Sequence, residues 1–412
     1  MKYFFILFFN INVFAQQAVF LPATEIQRQY YIETNTWFDG SPMNNEKVDG
    51  FIYKKKESLF YVLDDYAKGN AINAKLFGVK ADGISDDTKS LQNSLDLGVK
   101  YGITLILPYG TMITSNDLLL DISSSKGKIR LIGSGISNTI IKNIGTTTEN
   151  ALKITGDHFN NLEIRDFRIE RELSTPQPTG NVGLFVEKQV YASIENIEII
   201  RFTKGIVMQD VSSLYMKAVN ARYCGQGFYF GRGVNGDSNP NLIEMHSCRL
   251  TSNSDWGITI VNGHSINIYS SLFESNGKGG INFTYDGING ANSINLNSSY
   301  FEGNEGVDLY LKASAGGTHN IIGNTFNRVD SKHFTTNNII FEVSKGNKEQ
   351  PKTFLNMIGN GFMVANSYHS EQSRKAVIIV AKDYGNITVN DTNFYQSPVE
   401  IPNYHKEINF KK

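Results

Sequence analysis

Two cysteines in 412 residues, Cys224 and Cys248, are too few for a disulfide framework. Neither belongs to a C-x-x-C pair or to a multi-cysteine metal cluster. They are either two buried thiols, small hydrophobes suited to a core, or one bridge in an oxidising compartment; the thiols are favoured. Proline is scarce too, nine residues against 37 glycines, so turns fall to glycine and to short polar residues. An excess of charge is missing as well: 39 Lys and Arg face 40 Asp and Glu, a net charge of −1. That excludes a global basic field for nucleic acid, and any anion-binding surface has to be local. No apolar run reaches the length of a membrane span.

The longest such run sits at the N-terminus, where Lys2 precedes Tyr3 to Phe9 and then Ile11, Val13, Phe14 and Ala15. Val13 and Ala15 fit the −3 and −1 places of signal-peptidase cleavage, with Gln16 beginning the mature chain. The chain is therefore expected to be exported, to act as a secreted, periplasmic or cell-surface protein, and to have no membrane span.

The rest of the chain is organised around the stretch 75–97. Leu76, Phe77 and Val79 form a short apolar strand, and Gly78 and Gly83 flank a turn. Asp86, Asp87 and Thr88 are expected to cap a helix whose apolar face is Leu91, Leu95 and Leu97. In Phe77, Gly78, Lys80, Asp82, Gly83, Asp86, Asp87, Thr88 and Gln92 this stretch resembles the opening FGAKGDGxxDDTxAIQ of the pectate-lyase superfamily, with Ala81 where that pattern has glycine. The resemblance implies an all-β fold, a right-handed, single-stranded parallel β-helix with a short N-terminal capping helix. Thr104–Pro108 with Gly110–Met112, and Ile129–Gly135 with Thr139–Ile141, are similar to the next steps of that family.

After Leu152 the chain is repetitive. Apolar or small residues recur at offsets 0, 2, 5 and 7: Leu162, Ile164, Phe167, Ile169; Leu214, Met216, Val219, Ala221; Ile243, Met245, Cys248, Leu250. The same offsets give Ile266, Ile268, Ser271, Phe273; Ile294, Leu296, Ser299, Phe301; Leu355, Met357, Asn360, Phe362; and Ile387, Val389, Thr392, Phe394. Imperfect copies run through Ile197, Ile200, Phe202 and through Ile321, Asn324, Phe326. Alternation, one extra residue, then alternation again is what two strands around a corner require. Asn253, Asn276 and Asn304 share one column and are expected to stack as a ladder.

Outward residues also fall into columns. Offset 3 holds Arg165, Lys217, His246, Tyr269 and Asn297; offset 6 holds Arg168, Asn220, Arg249, Leu272 and Tyr300; offset 8 holds Glu170, Arg222, Thr251, Glu274 and Glu302. Successive coils rise about 4.8 Å, so Lys217, His246 and Tyr269 are expected to form a strip flanked by Arg222 and Arg249. Such a strip suits β-elimination on an acidic, uronic-acid-containing polysaccharide. Arg or Lys neutralises the substrate carboxylate. His246 or Lys217 takes the α-proton, and Tyr269 protonates the leaving oxygen. Arg165, Arg168, Asn297 and Tyr300 are the expected substrate contacts.

Hydrolysis is the rival chemistry. It needs two carboxylates about 5–5.5 Å apart for retention or 6.5–9.5 Å for inversion, and Glu274 and Glu302 are the candidates, with Glu244 and Asp255 nearby. The polygalacturonase signatures NTD and RIK are absent, no paired DD lies on a middle coil, and Asn262-Gly263-His264-Ser265 lacks the partners of that family's GHG. No carboxylate cluster supports calcium, so neither metal nor cofactor is expected. Resemblance to tailspikes and surface adhesins implies a third possibility, glycan binding without reaction, and an assembly that is a monomer or a homotrimer. The expected organisation is a signal peptide over 1–15, a leader domain over 16–72, the β-helix over 73–402 and a tail over 403–412.

Overall fold

The structure, a computed structural model, describes residues 19–23, 27–125, 127–158, 161–172, 181–233, 238–285, 292–313, 316–328, 337–343, 353–364, 375–380, 387–395 and 408–411. The expected export signal lies outside them. The chain divides into two compact units, Met1–Ile72 and Asn73–Lys412.

The first unit is an antiparallel sheet in the spatial order Val19–Ala23, Gln27–Glu33, Leu59–Leu63, Tyr53–Lys56. The strand Tyr53–Lys56 begins only after a turn at 49–52. Gly50 takes a left-handed φ of 81°, and Asp49 Oδ1 accepts the N–H groups of Phe51 and Ile52 at 2.7 Å each. That Asx turn uses the donors a ladder would need.

In the second unit Leu76 and Phe77, expected in a strand, lie instead in the 3-10 turn Ala74–Phe77, and the strand Asp82–Asp86 leads into the helix Thr88–Tyr101. Its buried face is Leu91, Leu95, Leu97 and Tyr101, packed against the first coil at Thr104–Ile106, Gly110–Thr114 and Leu119–Asp121. The aspartates do something other than cap it. Asp87 folds back to accept Lys80 N–H at 2.7 Å and Ala81 N–H at 2.9 Å, and Asp86 accepts from Thr88 N–H and from Ser115 Oγ. Gln92 reads the neighbouring edge strand, donating to Leu119 O and accepting its N–H. Ala81, in the place of the family's glycine, carries a φ of 54°. Its strain sits beside Gly110, where any Cβ would stand 2.1 Å from Ala81 O.

From there the described strands stack in parallel into three sheets that wind as a β-helix. Thr104–Ile106, Ile129–Ile132, Asn241–His246, His264–Tyr269 and Ile294–Asn297 belong to the first sheet. Gly110–Thr114, Asn220–Arg222, Arg249–Thr251, Leu272–Glu274 and Tyr300–Glu302 belong to the second. Asn150–Thr155, Gln226–Gly231, Trp256–Val261 and Gly279–Thr284 belong to the third. The inward columns are buried as the offsets imply, and Phe273, Phe301, Phe326 and Phe362 stack at 4.8–4.9 Å between ring centres. The extra residue at offset 4 makes the corner. Asp166, Asn196, Ala218, Ser247, Ser270 and Ser298 all take φ between 49° and 66°, and glycines 323 and 359 continue the column. Small or Asx side chains bear the left-handed conformation at least cost.

Two copies need a corrected register. Phe167 pairs with Ile197 and Ile169 with Ile199, so the inward set is Ala192, Ile194, Ile197 and Ile199, not Ile197, Ile200 and Phe202. All five isoleucine and phenylalanine side chains are buried, which hid the alternation. In the last copy Val389 is buried but Phe394 is 67% exposed. The register slips between Ile358 and Gly361, and Asn393 takes the inward corner place, accepting from Asn360 N–H and Nδ2. Ile408–Lys411, within the expected tail, pairs in parallel with Ile387–Asn390 as a further rung.

The asparagine ladder forms. Asn253 Nδ2 donates to Asn276 Oδ1 at 2.9 Å and Asn276 Nδ2 to Asn304 Oδ1 at 3.0 Å; it ends on the buried Asp308, which Asn338 reaches from the other side. Cys224 and Cys248 are free and buried, and burial pushes their thiols up to about 11 and about 12.

Candidate functional site

The register places Lys217 beside His246 and His246 beside Tyr269, on consecutive strands of the first sheet. His246 and Tyr269 stack at 4.8 Å with their planes 21° apart, and Tyr215 of the preceding coil lies 5.5 Å from His246 on the other side. The imidazole is thus held between two phenol rings. Glu244 Oε2 sets a negative charge 3.7 Å from His246 Nε2. Lys217 and, just past the corner on the second sheet, Arg249 are exposed, while His246, Tyr269 and Asn297 are half-buried, so the strip and its corner present cations, an imidazole and a phenol to solvent. Asn297 continues the column below Tyr269.

The other predicted arginines are committed elsewhere. Arg168 Nε donates to Glu198 Oε2 at 2.7 Å, and Arg222 Nε lies 2.9 Å from Glu198 Oε1. One buried carboxylate therefore engages both, and Glu170 Oε2 lies 3.5 Å from Arg168 Nη1 as a second partner. Arg165 bonds Glu163 at 3.2 Å and Asp166 at 2.5 Å; burial opposes its charge, but these two partners raise its pKa. Arg165 is also parted from Lys217 by Glu195, one coil between them. Glu195 and Glu198 both lie in the coil whose register the hydrophobic pattern misplaced. The array of five cations reduces to Lys217 on the first sheet and Arg249 just past the corner on the second.

Glu274 and Glu302 pair directly across adjacent strands of the second sheet, about 4.8 Å apart at the backbone. Asn327 Nδ2 donates to Tyr300 Oη at 2.9 Å and reaches Glu302 Oε1 at 3.5 Å. Burial first, then the charges of Glu302 and Glu274, raise the Tyr300 pKa against the bond from Asn327. Tyr300 therefore belongs to a carboxylate–phenol cluster and stays protonated. Among the described residues no group of three or more His, Cys, Asp or Glu is placed to hold a metal ion.

Two features escape a pattern of apolar offsets. Outward on the first sheet, Asn267, Asn295, Asn320, Asn356 and Asn390 form a second amide ladder with bonds of 2.6–2.7 Å; Asn at offset 1 in the copies of Asn267, Asn295 and Asn356 was its visible signal, and Asn390 joins it through the shifted register. At the corner between the second and third sheets lies an open groove of about 670 Å³, with Tyr223, Ser252, Ser254, Ser275, Gly277 and Glu305 in its lining. The repeated Ser-Asn-Ser and Ser-Asn-Gly steps at 252–254 and 275–277 marked it.

No family model matches the chain. Over 201 residues, 45% of the chain, it is 27% identical to "Depolymerase 1, capsule KN3-specific" of Klebsiella phage KN3-1, a match that spans 24% of that protein. The chain thus spans about a quarter of the length of that relative. Among solved structures it is similar to the enzymatically active domain of tailspike protein 2 of bacteriophage CBA120, with a TM-score of 0.58 and 14% identity over 93% of this chain and 56% of that one. It is similar also to the A-module of the mannuronan C-5 epimerase AlgE4 of Azotobacter vinelandii, with a TM-score of 0.53 and 15% identity over 82% of this chain and all of that one. At these identities the likeness is one of fold, the right-handed parallel β-helix.

Proposed function

We propose that this chain acts on a polysaccharide outside the cell, and that it cleaves an acidic, uronic-acid-containing glycan by β-elimination on the outer face of the first sheet. The observation that carries the reading is the in-register strip Lys217–His246–Tyr269 with its stacked imidazole and phenol. Support for a polysaccharide substrate comes from the names of similar proteins, a capsule depolymerase and a mannuronan epimerase. In this mechanism Lys217 and Arg249 hold the substrate carboxylate by charge-assisted bonds. His246 removes the proton α to that carboxylate, the electron pair forms the ring double bond, and Tyr269 protonates the departing glycosidic oxygen.

The test is a screen of the purified chain against acidic polysaccharides, following ultraviolet absorbance of the unsaturated uronate and, separately, new reducing ends. His246→Ala is expected to lower kcat by about 10²–10⁴-fold, and Tyr269→Phe to lower kcat with little change in KM. Absorbance that survives both substitutions defeats the assignment.

A second reading is favoured by the pairing of Glu274 with Glu302 and by the protonated Tyr300 between them and Asn327. Hydrolysis at that pair gives reducing ends without absorbance and is abolished by Glu274→Gln or Glu302→Gln. A glycan retained with neither signal means binding alone.

A further inference from the structure

We propose that the groove at the corner of the second and third sheets is a separate binding subsite for uncharged pyranose units, with Tyr223 as its stacking platform. The proposal rests on the reading that the chain handles a polysaccharide, but not on the chemistry assigned to His246.

The groove takes its floor from successive coils. Ser254 and Gly277 follow one another along the axis, and a Cβ on Gly277 would stand 2.4 Å from Ser254 O, so the coils meet backbone to backbone at Gly277. Small residues here leave the concavity. From Tyr223 to Glu305 the lining crosses three coil rises, about 14 Å, long enough for two to three sugar rings.

Tyr223 is the unusual member. It is 56% exposed and adopts a φ of 56°, a conformation that bulky residues rarely take. In the following coils the same corner place holds Ser252, Ser275 and Gly303, with φ between 55° and 59°. The corner requires the conformation, yet here a large aromatic occupies it and faces water. Its ring is also braced: the Arg222 guanidinium lies 5.6 Å from the ring centre, and Glu198 holds Arg222 at 2.9 Å. A ring fixed in this way loses little freedom when a ligand stacks on it.

Charge selects the ligand. Glu305 lines the groove, and Glu274 and Glu302 stand immediately before Ser275 and Gly303 in the chain. The nearby cations Arg222 and Lys278 are matched by Glu198 and Asp255. A uronate meets repulsion here, whereas the apolar face of a neutral sugar can lie on Tyr223 with its hydroxyls toward the serines and Glu305. The groove and the strip Lys217–His246–Tyr269 occupy the same coils on successive faces, so one polysaccharide with neutral and acidic units can reach both.

Saturation-transfer difference NMR on the full chain tests this with neutral trisaccharides of glucose, galactose and mannose, and with trigalacturonate as the acidic counterpart. At least one neutral trisaccharide is expected to show saturation at ring C–H protons, weakened about tenfold or more in affinity by Tyr223→Asn, which tolerates the left-handed φ, and by Ser254→Trp, which fills the floor. Circular dichroism checks that both variants keep the fold. His246→Ala is expected to leave this signal unchanged. No saturation of any neutral trisaccharide, or saturation indifferent to both substitutions, overturns the subsite, whatever becomes of cleavage. No ultraviolet-detected cleavage by the unsubstituted chain, with the neutral signal present, overturns the elimination mechanism and leaves the subsite standing.

Discussion

A buried imidazole, His319, is one contributor to the acid behaviour of this chain. His319 occupies the inward column of the first sheet between Ile294 and Leu355. It is edge-on to Phe283 at 6.2 Å and Phe341 at 5.8 Å, and neither ring nitrogen has a hydrogen-bond partner among the described residues. Burial pushes its pKa down to about 3 from 6.5. Between those values the unfolded chain binds a proton that the native chain refuses. Its contribution is therefore complete above pH 6.5 and is lost as pH falls toward 3, by at most about 1.4 kcal/mol per pH unit. His319→Leu is expected to flatten the acid limb of a denaturation-midpoint profile; an unchanged limb refutes the assignment. Ala81 is the second case at this scale. Its φ of 54° costs more for alanine than for glycine, so Ala81→Gly is expected to leave stability unchanged or raise it by up to about 1 kcal/mol in urea unfolding. Neither residue was legible as special: His319 breaks the apolar column that located its coil, and Ala81 showed only as a departure from a family pattern.

At the scale of an element, the ladders and corners connect one coil to the next. Asn276 accepts from Asn253 and donates both to Asn304 Oδ1 and to Leu250 O. Asn276→Ala removes these bonds inside the solenoid and takes the shared acceptor from the Asn253 backbone N–H and Nδ2, which keeps only Ala221 O, an expected loss of about 2–4 kcal/mol in urea unfolding. Asn297→Ala, on the outer face and half-buried, is expected to cost well under half of that. Equal losses mean that the inner ladder has no special role. This column was legible because Asn253, Asn276 and Asn304 keep the same distance from each apolar set. The outer faces were less so. A period of two says which residues point out, but which carboxylate an arginine reaches depends on the correct stacking of every coil between them. The coil of Ala192–Ile199 held adjacent buried isoleucines, so its register slipped by a few residues, and with it vanished Glu198, the partner of both Arg168 and Arg222.

For the whole molecule the critical feature is the end of the stack. Each coil satisfies its backbone groups through the coils above and below, so a solenoid's terminal rung exposes a row of unpaired N–H and C=O groups and the apolar interior behind it. At the N-terminal end of this β-helix the helix Thr88–Tyr101 lies over that interior, with Leu91 and Leu95 buried against the first coil. The motif 77–92 holds it there through Asp87 and Gln92, which bond backbone groups on either side of the helix. The part of the sequence that most resembles a family is thus the part that closes the fold, which explains why it reveals architecture and says little about chemistry. Leu91→Ala and Leu95→Ala are each expected to cost about 2–5 kcal/mol locally, with a further consequence that an internal core substitution such as Ile268→Ala lacks. Uncovering the terminal rung makes an edge for another chain to add to, so the cap variants are expected to associate with rising concentration well below their unfolding temperature. Light scattering across a concentration series separates the two. Association by Ile268→Ala and not by the cap variants means that the exposed end is harmless and that the helix acts only by its own burial.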